Sequence, residues 1–246
     1  HTRSFLRSDG VIFLTHYSRN CVLDAMGDLE AKTIIVSHGL NPRFRMKPKV
    51  QKPICEYSVT NPFSLVYVST VDQYKHQWHV VEAVAQLRQE GLPIELNLVG
   101  SAYPQSLQRL KKTMARFTSS NDWVKYHGDI LYADIQHQYK HADLGIFASS
   151  CESSSCILIE NMASGLPIAC SNRGPMPEVL QEGGVYFDPE QPRDITRALR
   201  EMIVSEKLRQ EKSIVSFRLA EGYSWERCAN ETFGFLTEVA NQSKYD

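Results

Sequence analysis

From residue 63 onward the apolar positions follow two alternating rhythms. Short strand-like runs lie at 64–69, 94–100, 123–127, 144–148, 167–170 and 185–187. Those at 144–148 and 167–170 are apolar without polar alternation, which predicts strands covered on both faces. Most are separated by stretches with helical spacing. In 77–90, Val80, Val84 and Leu87 fall on one face, and Gly91 then Pro93 stop the helix. In Pro104–Phe117, Leu107, Leu110, Met114 and Phe117 form a stripe, with Pro104 in the first turn. Residues 133–142 present Ile135, Tyr139 and Ala142. Helices at Pro192–Val204 and 207–221 follow the last strand. Six strands with intervening helices predict an α/β fold: a doubly wound parallel six-stranded Rossmann-like sheet over residues 63–222.

The flanks read differently. Strands at 11–15 and 32–36 enclose a helix at 17–29, with Val22, Leu23 and Met26 on one side. Such a βαβ unit cannot cover both faces of its own sheet. Residues 1–42 are therefore expected to be the remnant of an N-terminal acceptor domain. Residues 43–62 read as an interdomain linker and the loop leading into the sheet. The segment 41–62 carries four prolines and lacks periodicity, and its cluster of Arg43, Arg45, Lys47, Lys49 and Lys52 reads as solvated. Within 223–246, Ser224 caps a last helix striped by Trp225, Cys228, Ala229, Thr232, Leu236 and Val239. That stripe is expected to pack back on the N-terminal domain, and where uncovered to favour a homodimer.

Composition narrows the classes. The chain is 42% hydrophobic and 22% charged with a net charge of −1, which is ordinary for a globular protein and argues against a nucleic-acid or general membrane-surface binder. No apolar run approaches the ~20 residues of a membrane span, and the start lacks the apolar centre of a signal peptide. None of the six cysteines forms a CxxC pair, and no histidine accompanies Cys151 and Cys156 at metal spacing. Reduced thiols, no metal site and a cytoplasmic location, extending to the inner face of the membrane, are expected.

The chemistry concentrates in A-S-S-C-E-S-S-S-C-I-L-I-E-N-M-A-S-G-L-P, residues 148–167. It reads as strand, polar loop, a helix over 157–164 ended by Gly165, and strand. Ser153, Ser154 and Ser155 sit where the helix starts, with orphan N–H groups and the positive end of the helix dipole, an arrangement that suits a phosphate. Glu152 and Glu160 are expected roughly 8–12 Å apart, too far for a catalytic dyad but suited to two contacts on an extended ligand. Each carboxylate accepts from two hydroxyls at once. A nucleoside diphosphate sugar offers sugar hydroxyls, phosphates and ribose hydroxyls in the required order. The plainer alternative has Glu152 capping the helix and Glu160 on its wet face.

The pattern Glu152-x7-Glu160 followed by N-M-A-S-G-L-P-I-A resembles the signature of retaining glycosyltransferases with the GT-B fold, in glycosyltransferase family 4. S-H-G-L-N at 37–41, V-S-T-V-D-Q-Y-K at 68–75, L-V-G-S at 98–101, A-D-L at 142–144, G-P-M-P-E-V at 174–179 and Y-S-W-E at 223–226 fit the same family in order. The resemblance implies that Glu152 contacts the donor sugar's hydroxyls, Glu160 the ribose and Lys75 the diphosphate. Glu152 and Lys75 would carry the catalysis. Backbone N–H groups at Ser153, Ser154, Ser155 and Cys156 would hold phosphate or sugar oxygens, Ser69 and Thr70 would lie in the phosphate loop, and Gly128, Asp129 and Ile130 would line the base. The implied reaction is metal-independent and cofactor-free. It moves a sugar from its nucleotide to a glycan, lipid-linked or other hydroxyl acceptor with retention, in cell-surface polysaccharide or glycoconjugate synthesis. The acceptor site, and any peripheral membrane association, would belong to the N-terminal domain, so the chain is expected to bind the donor without transferring its sugar.

Two departures bear on this. Ser69 and Thr70 stand where the family has G-R, so the diphosphate-clamping arginine is missing, and Arg173 and His76 are the candidates to replace it. Ser154 and Ser155 replace an aromatic residue and glycine. A second reading is therefore a nucleotide-sugar-binding module or a degenerate non-catalytic subunit that needs a separate N-terminal half. A third, a sugar epimerase or sugar-phosphate synthase of the same fold, calls for other residues in the phosphate loop. His38 and His127 read as turn residues, Glu178 as starting or capping a short helix, and Trp78, Trp123 and Trp225 as packing.

Overall fold

In a computed structural model, described over residues 2–117 and 123–242, the six strand-like runs pair as one parallel sheet. The strands are β1 (Gly10–Phe13), β2 (Lys32–Ile35), β3 (Phe63–Val68), β4 (Ile94–Val99), β5 (Val124–Tyr126), β6 (Leu144–Phe147), β7 (Ile168–Ser171) and β8 (Gly184–Phe187). The helices are α1 (Thr2–Phe5), α2 (His16–Met26), α3 (Gln77–Gln89), α4 (Pro104–Phe117), α5 (Tyr132–His141), α6 (Cys156–Ala163), α7 (Met176–Leu180), α8 (Pro192–Val204), α9 (Glu206–Ala220) and α10 (Trp225–Gln242). The large sheet runs β5-β4-β3-β6-β7-β8, so it is doubly wound, as its pattern predicts. Leu65 of central β3 pairs with Leu96 on one side and Leu144 on the other. All six residues of β3 are buried, which is why its sequence shows no alternation. Val80, Val84 and Leu87 of α3 are fully buried against the sheet, and the packing expected of Trp78 and Trp123 is observed.

The first two strands form a separate parallel pair, with Val36 N–H donating to Phe13 O at 2.8 Å. α10 lies across this pair. A Cβ on Gly10 would meet Val239 and Phe235 at 2.7 and 2.9 Å, and Lys32 is ion-paired with Glu238. The apolar stripe expected of this helix is displaced: Phe235, not part of it, is the buried residue, while Trp225 and Leu236 are half exposed. Cys228, Thr232 and Val239 of the expected stripe are half-buried, and Phe235 packs deepest, against Gly10 of β1. Trp225 instead closes on the chain at Gly39, whose missing Cβ would lie 2.4 Å from the Trp225 backbone nitrogen. Residues 243–246 of the expected last segment, and His1 of the first, lie outside the described residues.

The five basic residues of the linker are exposed, as expected of their cluster, but Phe44 and Met46 between them pack against the large domain. Phe44 is fully buried, with edge-on contacts to Tyr132 and Tyr139. Met46 N–H donates to Ala163 O at 2.9 Å, and a Cβ on Gly165 would strike Met46 O at 2.5 Å. Gly165 also has φ +68°, so glycine both ends α6 and admits the linker. Lys49 caps the C-terminal end of α5 through the Lys140 and Ala142 carbonyls. Arg209 of α9 is fully buried. Its Nη1 donates to Met202 O and Ile203 O at 2.7 and 2.5 Å, its Nη2 to Lys52 O, and its Nε to Gln51 Oε1 at 3.1 Å. One guanidinium thus satisfies the carbonyl end of α8 and ties the linker to it.

Replacing Arg209 by alanine strands those acceptors in an apolar setting against Phe63. The expected cost is about 3–5 kcal/mol, read as a lower denaturant midpoint at unchanged slope.

Candidate functional site

The sheet changes its direction of growth between β3 and β6, which pair directly. The loops leaving their carboxyl ends diverge to opposite faces, and the crevice between them is where open α/β sheets bind ligands. The loop after β3 holds Ser69, Thr70 and Lys75, and the loop after β6 holds Glu152 to Ser155.

After β3 the chain makes a 3-10 turn over Gln73–Lys75, started by Asp72, whose carboxylate accepts from Gln73 N–H at 2.7 Å. Tyr67 Oη fixes the turn by donating to Lys75 O at 2.8 Å, and Ser150 N–H donates to Tyr74 O at 2.8 Å. Lys75 is thereby held at 6% exposure, its ammonium 5.0 Å from the Tyr74 ring centroid and 5.4 Å from that of Phe147. Its charge is met by Glu152, to which it is ion-paired. The two residues expected to work on one ligand therefore stand joined across the switch point. Desolvating such a pair offsets most of its attraction, so its value lies in orientation rather than stability.

α6 begins one residue earlier than its periodicity predicts. Ser155 is its N-cap, accepting from Leu158 N–H at 3.2 Å, so Glu152 is not the cap and is left for Lys75. The first-turn amides of Cys156 and Ile157 have no acceptor within the helix, and they follow Glu152 by four and five residues in the chain. Glu160 departs from the wet-face alternative: it is 6% exposed and accepts from Tyr132 Oη at 2.7 Å through Oε1. Burial raises its pKa above the usual carboxylate value, an effect the Tyr132 hydrogen bond partly opposes. Among the described residues Oε2 has no partner. Tyr132 opens α5 two residues after Ile130, so Glu160 is wired to the end of the loop 128–130 expected to line a base. The Arg43 guanidinium lies 5.4 Å from the Tyr132 ring centroid. No sequence spacing marks Tyr132, since its link to Glu160 depends on how α5 and α6 are set side by side.

The other expected positions fall as follows. Thr70 Oγ1 contacts Ser101 Oγ at 3.3 Å, and Ser69 Oγ donates to Thr70 O at 3.1 Å. Gly128 O accepts from Gly100 N–H at 2.8 Å, drawing the base loop to the end of β4. Neither candidate for the missing arginine's role stands free. Arg173 is ion-paired with Asp188 at 2.8 Å, with Glu190 at 3.8 Å. His76, in a left-handed conformation (φ 52°), shares a 2.8 Å hydrogen bond with Ser150 Oγ through Nε2, and burial lowers its pKa. Glu178 caps a helix as expected, but not its own. It accepts from His16 N–H and Tyr17 N–H of α2, both at 2.8 Å. His127 contacts Asn97 Oδ1 at 2.8 Å through Nε2, and His38 lies 6.1 Å from the Trp225 ring.

Residues 56–213 match the family described as glycosyl transferases group 1. Among curated proteins, the O-antigen chain mannosyltransferase B of Escherichia coli is 26% identical over 110 residues, 45% of this chain and 29% of its own length. A D-inositol 3-phosphate glycosyltransferase of Paenarthrobacter aurescens is 22% identical over 207 residues, 81% of this chain and 49% of its own. The chain thus spans half or less of the length of these relatives. Among solved structures, a sucrose-phosphate synthase from Thermosynechococcus elongatus superposes with a TM-score of 0.81 at 20% identity, over 98% of this chain and 61% of that one. The Anabaena protein HepE, in complex with UDP-glucose, gives 0.82 at 17% identity over 96% and 66%. At these identities the structures share the fold.

The raised pKa of Glu160 sets a pH dependence. The folded chain holds this proton more tightly than the unfolded one. That contribution to stability is full below the ordinary carboxylate range and is lost as pH rises through the raised native pKa. Glu160→Gln, which can still accept from Tyr132, is therefore expected to unfold at a higher temperature than the parent at pH 7–8. The gap should close as pH falls below ~4.5, which thermal scans across pH would show.

Proposed function

The chain belongs to the glycosyl transferases group 1 family, and on that premise we propose that it forms the donor-binding part of a retaining, metal-independent glycosyltransferase. The donor is a nucleoside diphosphate sugar laid along the carboxyl ends of β5, β4, β3 and β6. Its base rests on Gly128–Ile130, its ribose hydroxyls on Glu160, its diphosphate beside Lys75 and the first turn of α6, and its sugar hydroxyls on Glu152. The observation that carries this reading is the Lys75–Glu152 ion pair at the switch point, followed in the chain by the free first-turn amides of α6.

In the proposed reaction the bond between the anomeric carbon and the diphosphate breaks as an acceptor hydroxyl bonds to the same face, and the hydroxyl's proton passes to the departing diphosphate oxygen. Negative charge grows on the departing diphosphate. Lys75 and the α6 dipole lie where that charge develops and need no reorganisation to meet it. Glu152, its rotamer held by Lys75, orients the sugar. The acceptor is a glycan, lipid-linked or other hydroxyl compound, held by a part of the protein beyond these elements. A role in cell-surface glycoconjugate synthesis on the cytoplasmic side of a membrane belongs to the same proposal. One observation favours the alternative of a binding subunit without turnover. Thr70 replaces the expected arginine, and Arg173 is already neutralised by Asp188 and Glu190.

Calorimetry with UDP, UDP-glucose and uridine, followed by transfer assays with glycan acceptors, tests both readings. Lys75→Ala is expected to weaken UDP binding by about 1–3 kcal/mol while leaving uridine binding nearly unchanged, because the variant leaves Glu152 unneutralised beside the phosphates. Equal losses for both ligands would remove Lys75 from the phosphate site. Thr70→Arg is expected to strengthen UDP binding by about 1–3 kcal/mol.

A further inference from the structure

We propose that Glu178 and Thr15 are positioning residues that latch the donor loop 152–155 against α2, so that the small β1–α2–β2 unit sets the geometry of the sugar end of the site. The functional part of this rests on the donor-binding reading; the latch itself rests on the contacts.

Glu178 is the third residue of α7, a place from which an acidic side chain usually turns back to its own helix start. α7 gives it nothing to cap there, since its N-cap residue is Pro175, which has no N–H. Its two oxygens instead take His16 N–H and Tyr17 N–H, one each, at 2.8 Å. A carboxylate also meets the positive end of the α2 dipole there. Thr15, 3% exposed, does two jobs with one hydroxyl. Oγ1 accepts from Ser18 N–H at 3.1 Å as the N-cap of α2, and donates to Ser153 O at 2.8 Å. Ser153 directly follows Glu152. The circuit closes through Gly174, in the turn before α7, where a Cβ would lie 3.7 and 3.8 Å from the backbone oxygen and nitrogen of Glu152. The α2 start, the donor loop and α7 therefore brace one another in a triangle, and Glu178 and Thr15 are two of its sides.

Hydrogen exchange on the whole chain tests this. Glu178→Ala is expected to raise exchange about tenfold or more in both 16–26 and 150–156, the latter read at the Ser150 amide, which is bonded to Tyr74 O, with β3 and β6 unchanged. Thr15→Val should deprotect 150–156, and Thr15→Ser, which keeps the hydroxyl, should restore the parent pattern. If Glu178→Ala does not fold, Glu178→Gln, which keeps one acceptor oxygen, should give the same pattern at smaller size. UDP-glucose affinity is expected to fall about three- to tenfold in Glu178→Ala, with uridine affinity unchanged. Deprotection of 16–26 alone, with 150–156 as in the parent, would overturn the latch, as would an unchanged UDP-glucose affinity where both segments have loosened. A parent chain that binds no UDP-glucose would fail the donor reading instead, and the exchange pattern would still decide the latch.

Discussion

Between β3 and β6 two neighbouring parallel strands send their connections to opposite faces of one sheet. No backbone covers the gap at their carboxyl ends, and side chains must close it. Here Lys75 and Glu152 close it, each delivered by the loop of a different strand. The arrangement follows from chain topology. A right-handed crossover after β3 leads to β4 on one side, and the chain returns to pair β6 on the other. The surrounding contacts fix that meeting point: Tyr67 on the Lys75 carbonyl, Ser150 on the Tyr74 carbonyl, and Ser155 capping α6 so that Glu152 is not drawn into the helix.

What the sequence discloses and what it conceals divides by the range of the interaction. The central strands of the large sheet are readable because burial on both faces leaves apolar runs, and the observed limits of all six strands differ from the expected ones by at most one residue. α4 and α8 begin where expected, because proline starts both. Glu152, Glu160 and Lys75 are conspicuous through the order of motifs around them. The Tyr132–Glu160 hydrogen bond is not, because it joins residues from two helices that meet only in the folded sheet. For the same reason Glu160 passes for a surface residue: α6 is short, and the packing of α5 and the linker decides which of its sides is wet.

The linker misleads in a similar way. Its prolines and basic residues have the composition of a solvated tether, yet Phe44 is buried, Met46 pairs with α6, and Lys49 and Arg209 join it to two helix ends. Basic residues here serve as caps for carbonyl groups, a role that depends on where α5 and α8 terminate in space. Composition cannot distinguish a lysine that faces water from one that faces the C-terminal end of a helix.

The contact between Gly39 and Trp225 carries a kinematic consequence. The chain passes between its small and large units twice, once after β2 and once before α10, and at this contact the two passages touch backbone to ring with no room for a methyl group. Because the linker beyond the first passage is clamped, it has no slack to lend. Relative motion of the two units is therefore confined to swivelling about that point, since sliding would separate the crossings or drive them into one another. A swivel about that point turns α2 against Ser153 and Glu178, the groups it contacts on the large unit, while leaving the strands of the large sheet still.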